Sequence, residues 1–119
     1  MPPRAWRFRI HDILDAIESI RSYTDGMEFA TFENDRRTVD AVVRNLTIIG
    51  EAATRVPEPV VDAHPDVPWI EMRAMRNLVV HEYFGVSNRI IWDTAKSNLP
   101  PLVAPLQAIL DSTRDTSGA

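Results

Sequence analysis

Apolar residues recur along this chain at helical spacing. Ile10, Ile13, Leu14, Ile17 and Ile20 follow an i, i+3, i+4, i+7 rule, Asp12, Asp15, Glu18 and Arg21 fall on other faces, and Gly26 stops the run. The pattern predicts a first helix over about residues 9–24. A longer stripe through Val39, Val42, Val43, Leu46, Ile49, Ala53 and Val56 starts near the polar stretch 31–35 and ends at Pro57 and Pro59, which marks a second and longest helix. The proline-rich stretch 57–68 reads as a loop. Asp66-Val67-Pro68 offers a capping residue and a proline for the first turn of a third helix. That helix carries Trp69, Met72, Met75, Leu78 and Val79 towards the core and is expected to stop between His81 and Gly85. Ser87 and Asn88 then cap a fourth, with Ile91, Ala95, Leu99, Leu102, Leu106, Ile109 and Leu110 on its apolar face. Pro100, Pro101 and Pro105 predict a kink or break near residue 99, because an interior proline removes a hydrogen bond and collides with the preceding turn.

The fold class is therefore all-α, a bundle of four to five helices in one domain over residues 1–111. Helices 1 and 2 are expected to pair antiparallel, as are 3 and 4, with Trp69 and Trp92 packing the latter two together. Residues 112–119 form a polar tail expected to be disordered. The four glycines, at 26, 50, 85 and 118, are too scattered to mark a strand-rich fold.

With 119 residues the chain supports one core and not two, which excludes a two-domain enzyme. Without cysteine it has no disulfide framework, thiol nucleophile or cysteine-based zinc site. No apolar run approaches the roughly 20 residues of a membrane span, and the start, Met1-Pro2-Pro3-Arg4, has no apolar signal segment, so a soluble cytoplasmic protein is expected. The net charge of −4 argues against broad, sequence-blind coating of RNA but leaves a focused basic groove open. Helix 2 is locally basic, with Arg36, Arg37, Arg44 and Arg55 against Asp40 and Glu51, and Glu51 is expected to pair with Arg44 or Arg55.

Only three histidines are available for proton transfer near neutral pH. His11 and His64 have no neighbour at metal-ligand spacing, and HExxH and paired-carboxylate motifs are missing, so neither a metal nor a cofactor is expected. His81 stands apart. It belongs to Arg76-Asn77-Leu78-Val79-Val80-His81-Glu82-Tyr83. On an ideal helix Asn77 and His81 share one face, while Arg76 and Tyr83 share another about 100° away. A guanidinium that stabilises a phosphorane-like transition state and an imidazole that moves protons are what metal-free phosphodiester cleavage requires. Favourable interaction of a terminal Arg and His with the helix dipole explains the same residues structurally. Asn77 can orient ribose or imidazole, and Arg73, one turn earlier, can reach an RNA backbone or sit in an ion pair.

The segment Arg76 to Tyr83 matches the R-x4-H-x-Y signature of HEPN-domain toxins of the HepT type, and the chain resembles that family over nearly its whole length. Arg44-Asn45-Leu46, Ile48-Ile49-Gly50-Glu51-Ala52, Val67-Pro68-Trp69, His81-Glu82-Tyr83-Phe84-Gly85-Val86 and Trp92 carry the resemblance. It implies an all-helical, homodimeric endoribonuclease, the toxin of a type VII-like toxin-antitoxin module, and the lack of metal-ligand motifs makes metal-independent cleavage the expectation. Its partner would be a nucleotidyltransferase antitoxin of the MntA type. The resemblance further implies catalysis by Arg76 and His81 with Asn77, and neutralisation by AMPylation of Tyr83. An Arg and a His five residues apart point about 140° from each other on a regular helix, so one straight helix does not focus both on a phosphate. Either a two-fold axis assembles a composite site or the helix unwinds near Val80. The alternative function is a non-catalytic HEPN module that docks a nucleotidyltransferase and presents its substrate.

Overall fold

The computed structural model describes residues 5–77 and 87–118, with side chains through residue 113. Every regular element among the described residues is helical: α1 (Trp6–Thr24), α2 (Phe29–Glu33), α3 (Arg36–Thr54), α4 (Glu58–Ala63), α5 (Trp69–Ala74), a 3-10 turn (Met75–Asn77), α6 (Asn88–Asp93), a π turn (Thr94–Asn98), a second 3-10 turn (Pro100–Leu102) and α7 (Val103–Gly118).

The first apolar stripe is the core face of α1, with Ile10, Ile13, Ile17 and Ile20 buried and Leu14 packed at the edge. The helix begins at Trp6, earlier than the periodicity indicates, and Arg7 of its first turn donates to the Leu110 carbonyl at 3.0 Å. It ends before Gly26, whose φ of 74° lies in the left-handed region that glycine adopts without steric cost.

Central to the bundle is α3, which buries Val39, Val42, Val43, Leu46, Ile49 and Ala53. It runs antiparallel to α1, as expected: Arg9 and Asp12 lie beside Glu51 and Arg55, while Asp15 and Ser19 lie beside Asn45 and Ile48. Asp35 caps α3, its carboxylate accepting from the Thr38 amide at 3.1 Å and the Thr38 hydroxyl at 2.8 Å. The Thr38 hydroxyl, followed by the Thr38 amide, holds this carboxyl below the usual aspartate range. A carboxyl depressed in the folded state adds stability above its unfolded pKa of about 3.9 and loses that contribution as pH falls through the folded value. Asp35→Ala should therefore lower the melting temperature at pH 7, and the gap from the parent should shrink in melts taken progressively below pH 4.

Two short helices escape the sequence pattern. α2, under two turns long, anchors itself through Phe32, fully buried with its ring 5.0 Å from that of Trp92; Phe29 meets the same indole edge-on at 6.3 Å. Trp92 thus packs α6 on α2, a contact that the sequence pattern does not indicate. α4 occupies the stretch read as loop, with Pro59 in its first turn and no buried residue to give it a periodic signature.

The third helix differs from its expected form. Pro68 occupies the N-cap position, and neither it nor Asp66 supplies a side-chain cap. Regular α-helix stops at Ala74 and tightens into the 3-10 turn, so the ideal-helix faces drawn through residues 76 and 77 do not hold there. Trp69, Met72 and Met75 are buried, and α5 with its 3-10 turn packs on α3. Leu78 and Val79 lie outside the described residues.

The expected interruption near residue 99 is present. The Leu99 amide reaches back five residues to the Thr94 carbonyl at 3.0 Å, and the 3-10 turn at Pro100 follows. Ser87 caps α6, accepting from the Arg89 amide at 3.0 Å. Despite the break, Ile91, Ala95, Leu99, Leu102, Leu106, Ile109 and Leu110 all reach the core, and α7 packs on α1.

Candidate functional site

Gly50 decides where the Arg76 turn sits. A Cβ built on Gly50 would stand 2.5 Å from the Arg76 amide nitrogen and 2.8 Å from its Cβ, so the absent methyl group lets the two backbones touch. Buried Met75 fixes the turn from below, and its neighbours Arg76 and Asn77 face outward. The Arg76 guanidinium meets the Glu51 carboxylate at 3.7 Å, with 47% and 53% of the two side chains exposed. An ion pair this long and this solvated restrains the guanidinium weakly and leaves it available to an incoming anion. Consecutive residues of α3 thus do two jobs: Gly50 admits the Arg76 backbone and Glu51 receives its side chain. Glu51 consequently pairs with Arg76, not with Arg44 or Arg55.

Arg73 is held inside the fold. Its side chain, 28% exposed, bonds to the Glu58 carboxylate at 3.0 Å and, more weakly, to the Ala53 carbonyl at 3.4 Å near the end of α3. It clasps α4 to the α3 terminus, and reaching RNA would require breaking those contacts. His11 is exposed on α1; His64 ends α4, and its carbonyl accepts from the Trp69 indole at 2.9 Å. His81 and Tyr83 lie outside the described residues. The structure thus brings together Arg76, Asn77 and Glu51 on one exposed edge and sets Arg73 apart as a clasp.

The part played by Gly50 and Glu51 lies outside the catalytic reading of the sequence. Its signal is nevertheless there in Ile48-Ile49-Gly50-Glu51-Ala52, where a glycine interrupts a long helix and an acid follows it. Among the described residues no three His, Cys, Asp or Glu side chains gather into a metal-binding group. Among the described residues no helix is long and apolar enough to cross a membrane.

Residues 13–109 match the family described as Ribonuclease HepT-like. The chain belongs to the HepT-like ribonuclease family. Its relatives include a Thermococcus cleftensis protein named "Probable ribonuclease HepT", 41% identical over 99 residues, covering 83% of this chain and 90% of that one. A Methanocaldococcus jannaschii protein named as a candidate RNase is 36% identical over 110 residues, 92% of this chain and 91% of its own. A third, from Caldanaerobacter subterraneus subsp. tengcongensis and similarly named, is 37% identical over 105 residues, 88% of this chain and 94% of its own. No solved structure matches the chain. The Arg76 turn lies within the matched residues.

Proposed function

We propose that the chain is a metal-independent endoribonuclease, the toxin of a type VII-like module, whose Arg76 and His81 cleave RNA. The observation that carries this reading is the exposed Arg76 turn, seated against Gly50 and held only loosely by Glu51. A guanidinium so placed can exchange its carboxylate for a phosphate with little loss of stability. His81 takes a proton from the ribose 2′-oxygen as that oxygen attacks phosphorus, or returns one to the departing 5′-oxygen; Arg76 stabilises the charge that builds on the phosphoryl oxygens. Asn77, exposed beside Arg76, positions ribose or imidazole through its amide. The products are a cyclic phosphate and a 5′-hydroxyl. Arg73 is a lesser contact, since Glu58 competes for it. In a two-fold homodimer the Arg76 turns of both protomers would line one composite cleft.

The proposed partner is a nucleotidyltransferase antitoxin of the MntA type, which transfers AMP from ATP to the Tyr83 hydroxyl and releases pyrophosphate. The added phosphodiester would be drawn to Arg76 and fill the place of an RNA phosphate. The experiment that tests this reading measures RNA cleavage by purified chain, alone and after incubation with the partner and ATP. Parent protein should cleave, then lose activity as its intact mass rises by increments of AMP. Tyr83→Phe should cleave at nearly the parental rate and resist inactivation. Equal protection of both proteins by the partner would place neutralisation in complex formation or at another residue. A parent that cleaves no RNA without its partner would favour the non-catalytic docking module.

A further inference from the structure

Arg37 and Arg44 of α3 and Arg55, the residue that ends it, lie 7 and 11 residues apart, close to whole numbers of helical turns, and so share one outward stripe. All three are exposed. Among the described residues no carboxylate lies within ion-pair reach of Arg44 or Arg55, and Arg37 feels only the field of Asp35 at the helix start. Every other described arginine is engaged by a carboxylate or a backbone carbonyl. The uncommitted guanidinium groups are therefore concentrated on one face of one helix in a chain whose net charge is −4. Random surface placement in an acidic protein would leave them scattered and partnered.

The stripe also leads to the Arg76 turn. Glu51 falls between Arg44 and Arg55 and is the residue that Arg76 engages. Arg9 and Asp12 of α1 border a shallow groove of about 180 Å³ floored by Thr47, Ile48, Glu51, Ala52 and Arg55. Ile48, more than a third exposed, gives the stripe an apolar step between Arg44 and Arg55. Arg44 and Arg55 are about 16 Å apart along the axis, a span that a few nucleotides of an extended strand can cover. Planar guanidinium forks suit phosphate, and an apolar step suits the face of a ribose or base.

We propose that Arg44 and Arg55, with Ile48 between them, form a binding rail for the backbone of single-stranded RNA that delivers it to Arg76. This rests on the ribonuclease reading for the identity of the ligand. A second copy of the chain suits the stripe less well, because two-fold packing centred on it would set Arg44 of one protomer against Arg55 of the other. The rail holds the strand and takes no part in proton transfer.

The test is performed on full-length protein carrying His81→Ala, so that the probe stays intact. Binding of a fluorescein-labelled 12-nucleotide oligouridylate is followed by anisotropy across a salt series. Adding Arg44→Ala and Arg55→Ala together should weaken binding about tenfold or more at low salt. It should also flatten the slope of log K against log salt by about 1.4, about 0.7 for each phosphate that the variant no longer neutralises. Arg21→Ala, which removes a cation from α1 already paired with Glu18, should change affinity less than twofold. Unchanged affinity and slope in the double variant would overturn the rail, as would a weakening no larger than that of Arg21→Ala. A weakening accompanied by a fall in particle mass would assign the stripe to contact between copies and also overturn it. Failure of the ribonuclease reading looks different: protein without the His81 change would bind the probe through the rail and leave it uncut.

Discussion

Arg76→Ala and His81→Ala should each reduce RNA cleavage by about two to four orders of magnitude while the melting temperature stays within a few degrees of the parent. Removing a general acid or base costs about 10²–10⁴ in rate, and removing a preorganised stabiliser of developing charge costs about 10²–10³. Structural damage at Arg76 should be slight, because its only described side-chain partner is the solvated Glu51 carboxylate at 3.7 Å, and such pairs contribute about 0–1 kcal/mol. Arg76→Lys sharpens the test: an ammonium keeps the charge but loses the bidentate fork, so activity should fall between parent and alanine variant. The measurement is initial cleavage of a labelled RNA by proteins matched for helical content and melting temperature. His81→Ala cleaving at the parental rate would remove the acid–base assignment. Activity abolished by chelator and restored by a divalent ion would replace the metal-free mechanism.

Much of the architecture is legible in the sequence because long amphipathic helices write their burial into it. The stripes through Ile10–Ile20 and Val39–Ala53 each span several turns, and each forms a core face. α2 and α4 are illegible for the opposite reason. Phe32 is an anchor, but one buried ring in a five-residue helix makes no period, and α4 packs only Val60 and Val61 partly against the core. The destination of Trp92 depends on α2 being there, so a pattern that hides one hides the other. At the site, residue types identify Arg76 and Asn77 as chemically useful, but sequence spacing does not reveal that they sit on a 3-10 turn. Helical offsets also suggest pairing Glu51 with arginines of its own helix, whereas its observed partner, Arg76, comes from another element brought close by a missing methyl group.

Gly50→Ala turns that missing methyl group into a test with an unambiguous sign. Within α3, about one turn before its end, propensity alone says that alanine should stabilise the helix by up to about 1 kcal/mol over glycine. Packing says the reverse. The new Cβ would lie 2.5 Å from the Arg76 backbone nitrogen, a contact with main chain that no side-chain rotation relieves. Overpacking of this kind costs about 1–3 kcal/mol and is met by moving the weaker partner, here the three-residue 3-10 turn and not the 19-residue helix. The expected result is a lower melting temperature together with a cleavage rate reduced about tenfold to a hundredfold at temperatures where the protein is fully folded. A displacement near 1 Å at a group that must align with a phosphate costs about that much. Ile20→Val separates the two effects: it trims a fully buried side chain of α1, should cost about 0.5–1.5 kcal/mol, and leaves the Arg76 turn in place. It should melt earlier yet cleave at the parental rate. A more stable Gly50→Ala variant with full activity would mean that the Arg76 turn does not depend on its close approach to α3, and the geometric basis of the site would fail with it.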